Sequence, residues 1–95
     1  MNIQDTLKVR GKTHGNFLLN ATLSQELKRI IKLQTTVVTT KDQQEALEVI
    51  CAKIARICTG DPNHADSWHD IAGYAVLIEE RLIEERCKPN SPALA

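Results

Sequence analysis

Only one stretch of the chain, Thr35-Thr36-Val37-Val38-Thr39-Thr40, has the β-branched density of a strand, and a strand with no second run to pair with builds no sheet. It reads as an extended connector between helices. Before it, Ile3, Leu7 and Arg10 share one side of a short segment ended by Gly11, and Gly11-Lys12-Thr13-His14-Gly15 reads as a two-glycine loop. From Asn16 to about Leu33, the residues Phe17, Ala21, Ser24, Leu27 and Ile31 recur at the helical period. After the connector, Thr40-Lys41-Asp42-Gln43 is a capping box, and Gly60-Asp61-Pro62 closes the same helix with an expected left-handed C-cap. Leu47, Ile50, Cys51, Ile54, Ile57 and Cys58 form its apolar stripe. A last helix is expected from about Ala65 to Arg86, with Trp68, Ile71, Ala72, Ala75, Ile78 and Leu82 toward the core and Trp68 substantially buried. The expected architecture is all-α, a small bundle of three to four helices forming one domain over residues 1–87, followed by a poorly ordered tail over 88–95.

Composition limits what such a bundle can do. A chain of 95 residues with one Trp, one Tyr and one Phe has little aromatic area to bury, so assembly as a homo-oligomer is expected. The longest apolar run, Ala75-Val76-Leu77-Ile78, is far short of the roughly 20 residues that cross a bilayer. No membrane partner is expected. The first residues lack the basic and apolar regions of a secretory signal, which predicts a cytoplasmic location. Twelve basic residues balance twelve acidic ones, which removes the simplest argument for duplex nucleic acid. Cys51, Cys58 and Cys87 are odd in number and contain no Cys-x-x-Cys pair, so neither a disulfide framework nor a cysteine zinc site is indicated.

Two sets of charges are spaced for chemistry. Glu45 and Glu48 on one helix and Asp66 and Asp70 on the next each share a helical face, and antiparallel packing would bring the four carboxylates together around a Mg²⁺ ion. Acids near a helix start are also favoured by the macrodipole, with no metal involved. The second set is cationic: Arg10, Lys12 and His14 in the first loop, with Lys53 and Arg56 on the polar side of the capped helix. Arginine forks and lysine point charges hold phosphate, although a solvated charged face has the same composition. Asp70 and Tyr74 offer a polar handle and a flat surface for a ribose or base, and His64 sits where an anion meets a helix start. His69 and Asp70 point about 100° apart, which disfavours a shared metal site of the His-Asp phosphohydrolase kind. Cys51 and Cys58 lie on the apolar stripe with no base beside them and read as packing.

Arg10-Gly-Lys-Thr-His14-Gly-Asn-Phe17, Lys53-Ile-Ala-Arg56-Ile and Gly60-Asp-Pro-Asn-His64-Ala-Asp66-Ser-Trp68-His-Asp70-Ile-Ala-Gly73-Tyr74-Ala together resemble an uncharacterised family of small phage and prophage proteins, over nearly the whole chain. More distantly, the chain resembles the MazG-like all-α nucleotide pyrophosphohydrolases. Those pair a Glu-x-x-Glu helix with a Glu-x-x-Asp helix around Mg²⁺ and work as oligomers. Glu45 and Glu48 match the first motif and Asp70 the last position of the second, but Ser67 stands where the second motif has Glu. That departure favours binding over hydrolysis and leaves no residue assigned as catalytic. In size and expected origin only, the chain resembles phage sponges that bind cyclic-nucleotide or ADP-ribose-derived defence signals without cleaving them. The expected function is therefore binding of a phosphorylated nucleotide or nucleotide-derived signal, without a cofactor, to sequester it against host defence. The alternatives are a Mg²⁺-dependent pyrophosphohydrolase using Glu45, Glu48, Asp66 and Asp70, and a structural or protein-binding phage module.

Overall fold

In the computed structural model, which describes the backbone of residues 2–87 and their side chains apart from those of residues 10–14, one glycine turns the first helix into the second. Helix α1 (Ile3–His14) runs through Gly11, so the expected two-glycine loop is helical instead. A single interior glycine costs a helix only about 1 kcal/mol, and the reversal needs just Gly15, whose φ is 77°. Asn16 then caps α2 (Phe17–Gln34), its side-chain oxygen accepting from the Leu18 and Leu19 amides at 2.8 and 3.2 Å. Residues 35–40 are non-helical, as the sequence predicts for the connector.

Helix α3 (Lys41–Thr59) begins at the expected capping box: the Thr40 amide donates to Gln43 Oε1 at 3.0 Å, and the Gln43 amide donates to Thr40 Oγ1 at 3.4 Å. Its end differs from expectation, because Gly60 adopts φ −129° and ψ −127° instead of the left-handed conformation. The following turn is closed by Asp61, whose carboxylate accepts from the Asn63 amide at 2.9 Å. Helix α4 (Ala65–Cys87) completes the chain, and no strand occurs among the described residues. The protein is all-α. The expected tail over residues 88–95 lies outside the described residues.

Helix α3 is central. It packs against α2 on one side and α4 on the other, while α2 and α4 have no close approach among the described residues. Both pairs are antiparallel, as short connections favour. Asp42 meets Arg81 and Lys53 meets Asp70 across α3 and α4, and Gly15 at the head of α2 abuts Thr59 and Gly60 at the foot of α3. The three long helices therefore form a single layer, with α1 resting on α2 and α3 at one end.

Small residues build the seams of this layer. Its buried positions are Ser24, Ala46, Cys51, Ala55 and Ser67, which let the helix backbones come close, and the larger Ile57. The larger side chains predicted to form the core are mostly left outside. Trp68 is 55 % exposed, its indole N–H donating to the Pro62 carbonyl at 2.8 Å. Leu47, Ile54, Cys58, Ala72, Ala75 and Leu82 are exposed as well, and Phe17 is 83 % exposed. The reason is geometric: in a single layer α3 is covered along its two edges and α4 along one, so an apolar stripe wider than a seam is left open on the face of the layer.

Candidate functional site

Along the α2–α3 seam the two helices part enough to leave a groove of about 650 Å³. That volume lies within the usual range of small-molecule sites. One wall is cationic. Lys28, Arg29 and Lys32 project into it from α2, Gln25 joins them one turn earlier, and Glu48 faces them from α3 as the sole acid of the lining. Thr35 and Thr39 close one end with hydroxyls, while Ile31, Leu47 and Cys51 supply apolar surface. Arg29 is held by Glu26 at 2.9 Å on its own helix, which lowers the Glu26 carboxyl through that hydrogen bond and the attendant charge. Among the described residues no carboxylate lies within ion-pair distance of Lys28 or Lys32. Burial pushes the Cys51 thiol up, against the pull of Lys28, so the sulfur is a neutral part of the wall.

The residues predicted from the sequence are distributed differently. Lys53 and Asp70 do meet, at 2.8 Å, in an ion pair across α3 and α4. The hydrogen bond from Lys53, then its charge, hold the Asp70 carboxyl below its ordinary value, with smaller contributions from His69 and Arg56. Lys53 is thereby neutralised within the chain, and Arg56 lies beside the same pair. Tyr74 is half-buried on the inner side of α4. His64 sits in the α3–α4 turn, its Nε2 3.7 Å from Asp66. The backbone of Arg10, Lys12 and His14 ends next to Gly15 and hence beside the foot of α3. That is the far end of the seam from the groove, about 20 Å along α2 from Lys28 at 1.5 Å per residue. The side chains of these three residues lie outside the description.

The four carboxylates do not converge within one chain. The pairs Asp42–Arg81 and Lys53–Asp70, eleven residues apart on each helix, set the register of α3 against α4. Glu48 accordingly falls level with Ala75, and Glu45 with Ile78, while Asp70 and Asp66 lie roughly 7 and 13 Å from the level of Glu48, toward the start of α4. Glu48 turns toward α2 and the groove instead. Among the described residues no three His, Cys, Asp or Glu side chains are placed to hold a metal ion. The cause is that equal spacing on two helices aligns faces but leaves the register free, and here the register is taken by ion pairs.

Sequence reasoning missed the cations of α2. Their signal was available: Lys28-Arg29-x-x-Lys32 puts two lysines four apart beside an arginine, on the side of the helix away from Leu23 and Ile30. It was masked because the segment reads first as a solvated face. No helix is long and apolar enough to cross a membrane among the described residues. The family model of a domain of unknown function, DUF6378, matches residues 5–82. No curated protein and no solved structure matches the chain.

Proposed function

From a chain that belongs to the DUF6378 family, with a cation-lined groove between two of its helices, we propose a protein that binds a phosphorylated nucleotide or nucleotide-derived signal without transforming it. The observation that carries this reading is the pair Lys28 and Lys32, one turn apart on the groove wall with no carboxylate paired to either among the described residues. Phosphate oxygens supply the negative charge that such a wall lacks, and lysines bind them as point charges. Thr35, Thr39 and Gln44 can hydrogen-bond a sugar, and Ile31 and Leu47 can lie under a base. Sequestration is favoured over turnover because the carboxylates that would hold Mg²⁺ are spread along α3 and α4, and Ser67 interrupts the second acidic motif. The resemblance to phage proteins makes a nucleotide-derived defence signal in a host cytoplasm the first ligand class to test.

Calorimetry of the full chain against ATP, a cyclic dinucleotide, ADP-ribose and pyrophosphate tests the reading. At least one nucleotide should bind, and the double substitution Lys28→Gln with Lys32→Gln should weaken it tenfold or more, about 1.4 kcal/mol. Ligand released by heat should be chemically intact, with or without Mg²⁺. Binding untouched by the double substitution would return the site to the Arg10–His14 end, and robust Mg²⁺-dependent release of pyrophosphate would favour the enzyme.

A further inference from the structure

The single layer has two unlike faces. With residues placed at 100° intervals and both helix pairs antiparallel, Leu19 and Ile30 of α2, Leu47 and Ile54 of α3, and Trp68 and Leu82 of α4 fall on the same side of the layer. All six are exposed. Gln25, Lys32, Glu45, Arg56, Glu80 and Gly73 fall on the other side, together with the exposed Leu18 and Leu77. Of the buried seam residues only Ile57 is a large apolar side chain, so the six exposed ones are not what fills the seams of the layer. They form a continuous surface that a second layer would convert into a core, which is the ordinary way such elements become stable.

We infer that the apolar face docks on the same face of a second copy of this chain, giving a two-layer homodimer. Area supports the occupant. The chain exposes 7424 Å², whereas a folded monomer of its 10.6 kDa mass is expected to expose about 5,500 Å². If Met1 and residues 88–95 are set aside at the area of a fully extended chain, about 160 Å² each, the rest of the chain still exceeds the roughly 5,100 Å² expected for its own smaller mass by about 900 Å². A stable dimer needs about 800 Å² from each partner. The formal net charge is zero, so two copies meet without net repulsion. A layer with no large side chain fully buried also depends on its cover to fold, and the one partner present whenever this chain is made is another copy of it. Leu47 borders both this face and the groove, whereas Gln25 and Lys32 lie on the opposite side and Ile54 and Trp68 line no part of the groove, so loss of the dimer in Ile54→Lys and loss of ligand binding in Lys28→Gln with Lys32→Gln are separate outcomes.

Sedimentation and light scattering of the full chain at micromolar concentration should give about twice 10.6 kDa. Diluting it a hundredfold should lower Tm by about 5–10 °C, because folding and association are coupled. Glu80→Lys, on the polar face, should leave the mass at two chains, and Ile54→Lys should reduce it to one. A helical chain of single mass would mean that a different protein covers this face, and it would overturn the inference. So would a Tm indifferent to dilution, which remains decisive if Ile54→Lys fails to fold, or a dimer that survives Ile54→Lys together with Trp68→Lys.

Discussion

Two glycines with the same lack of a side chain do opposite things here. Gly15 has φ 77°, and a Cβ added to it would collide with the Thr59 carbonyl and crowd Gly60, so it is required both by conformation and by the close approach of α2 to the foot of α3. Gly15→Ala should destabilise the protein by more than about 1 kcal/mol, read from the denaturation midpoint. Gly73 lies in mid-helix with nothing within 4 Å of an added Cβ. Gly73→Ala should therefore stabilise by about 1 kcal/mol through helix propensity; a loss of stability would show that something packs there. Asp42 carries a third residue-scale expectation. Hydrogen bonds from Arg81, then from the Thr40 hydroxyl, lower its carboxyl from 3.8 to about 2. A carboxyl depressed in the folded state contributes stability above its unfolded value, and that contribution fades as pH falls from about 4 toward 2. In Arg81→Met the Asp42 resonance should titrate closer to its ordinary value, with the Thr40 hydroxyl still lowering it, and this acid-side part of the stability profile should shrink.

The start of α3 is where helix and tertiary contact reinforce each other. Thr40 accepts from the Gln43 amide and also from Arg81 Nη2 at 2.9 Å, and Arg81 reaches Asp42 Oδ2 at 2.6 Å and Glu85 at 3.2 Å. Thr40→Ala should cost about 1 kcal/mol as a lost cap, and somewhat more where the Arg81 contact is lost with it; unchanged thermal stability would deny the cap its role. This end of the helix was legible because a capping box is written in four consecutive residues. The connector was legible for a similarly local reason, since no second β-branched run exists to pair with it. Register was not legible. Glu45, Glu48, Asp66 and Asp70 share helical faces as expected, but Lys53–Asp70 and Asp42–Arg81 set how far α3 slides along α4, and such pairs join residues distant in sequence. Gly11 and Gly60 show the same limit at the chain's turns: a glycine permits a reversal or a left-handed cap, and its neighbours decide whether either is used.

At the scale of the whole molecule, an apolar stripe announces that a residue will be covered without saying by what. Trp68, Ile54 and Leu82 were expected in a core and are found on a face, because periodicity cannot distinguish a chain's own helices from a partner's. Trp68→Ala should accordingly act on assembly: its cost to stability should be larger in concentrated than in dilute solution, whereas a core role within one chain predicts the same cost at both. The groove follows from the same architecture. A single layer leaves the α2–α3 seam open, with Lys28, Arg29 and Lys32 facing Glu48 across it. The central claim is that this seam receives the phosphates of a nucleotide. A titration of the isotope-labelled full chain with ATP, followed by amide resonances, tests it most directly. The account predicts shifts concentrated at Lys28, Arg29, Lys32, Gln44 and Glu48, with Leu82 and Trp68 unmoved; shifts centred on Arg10–His14 and His64, or none at millimolar ligand, would contradict it.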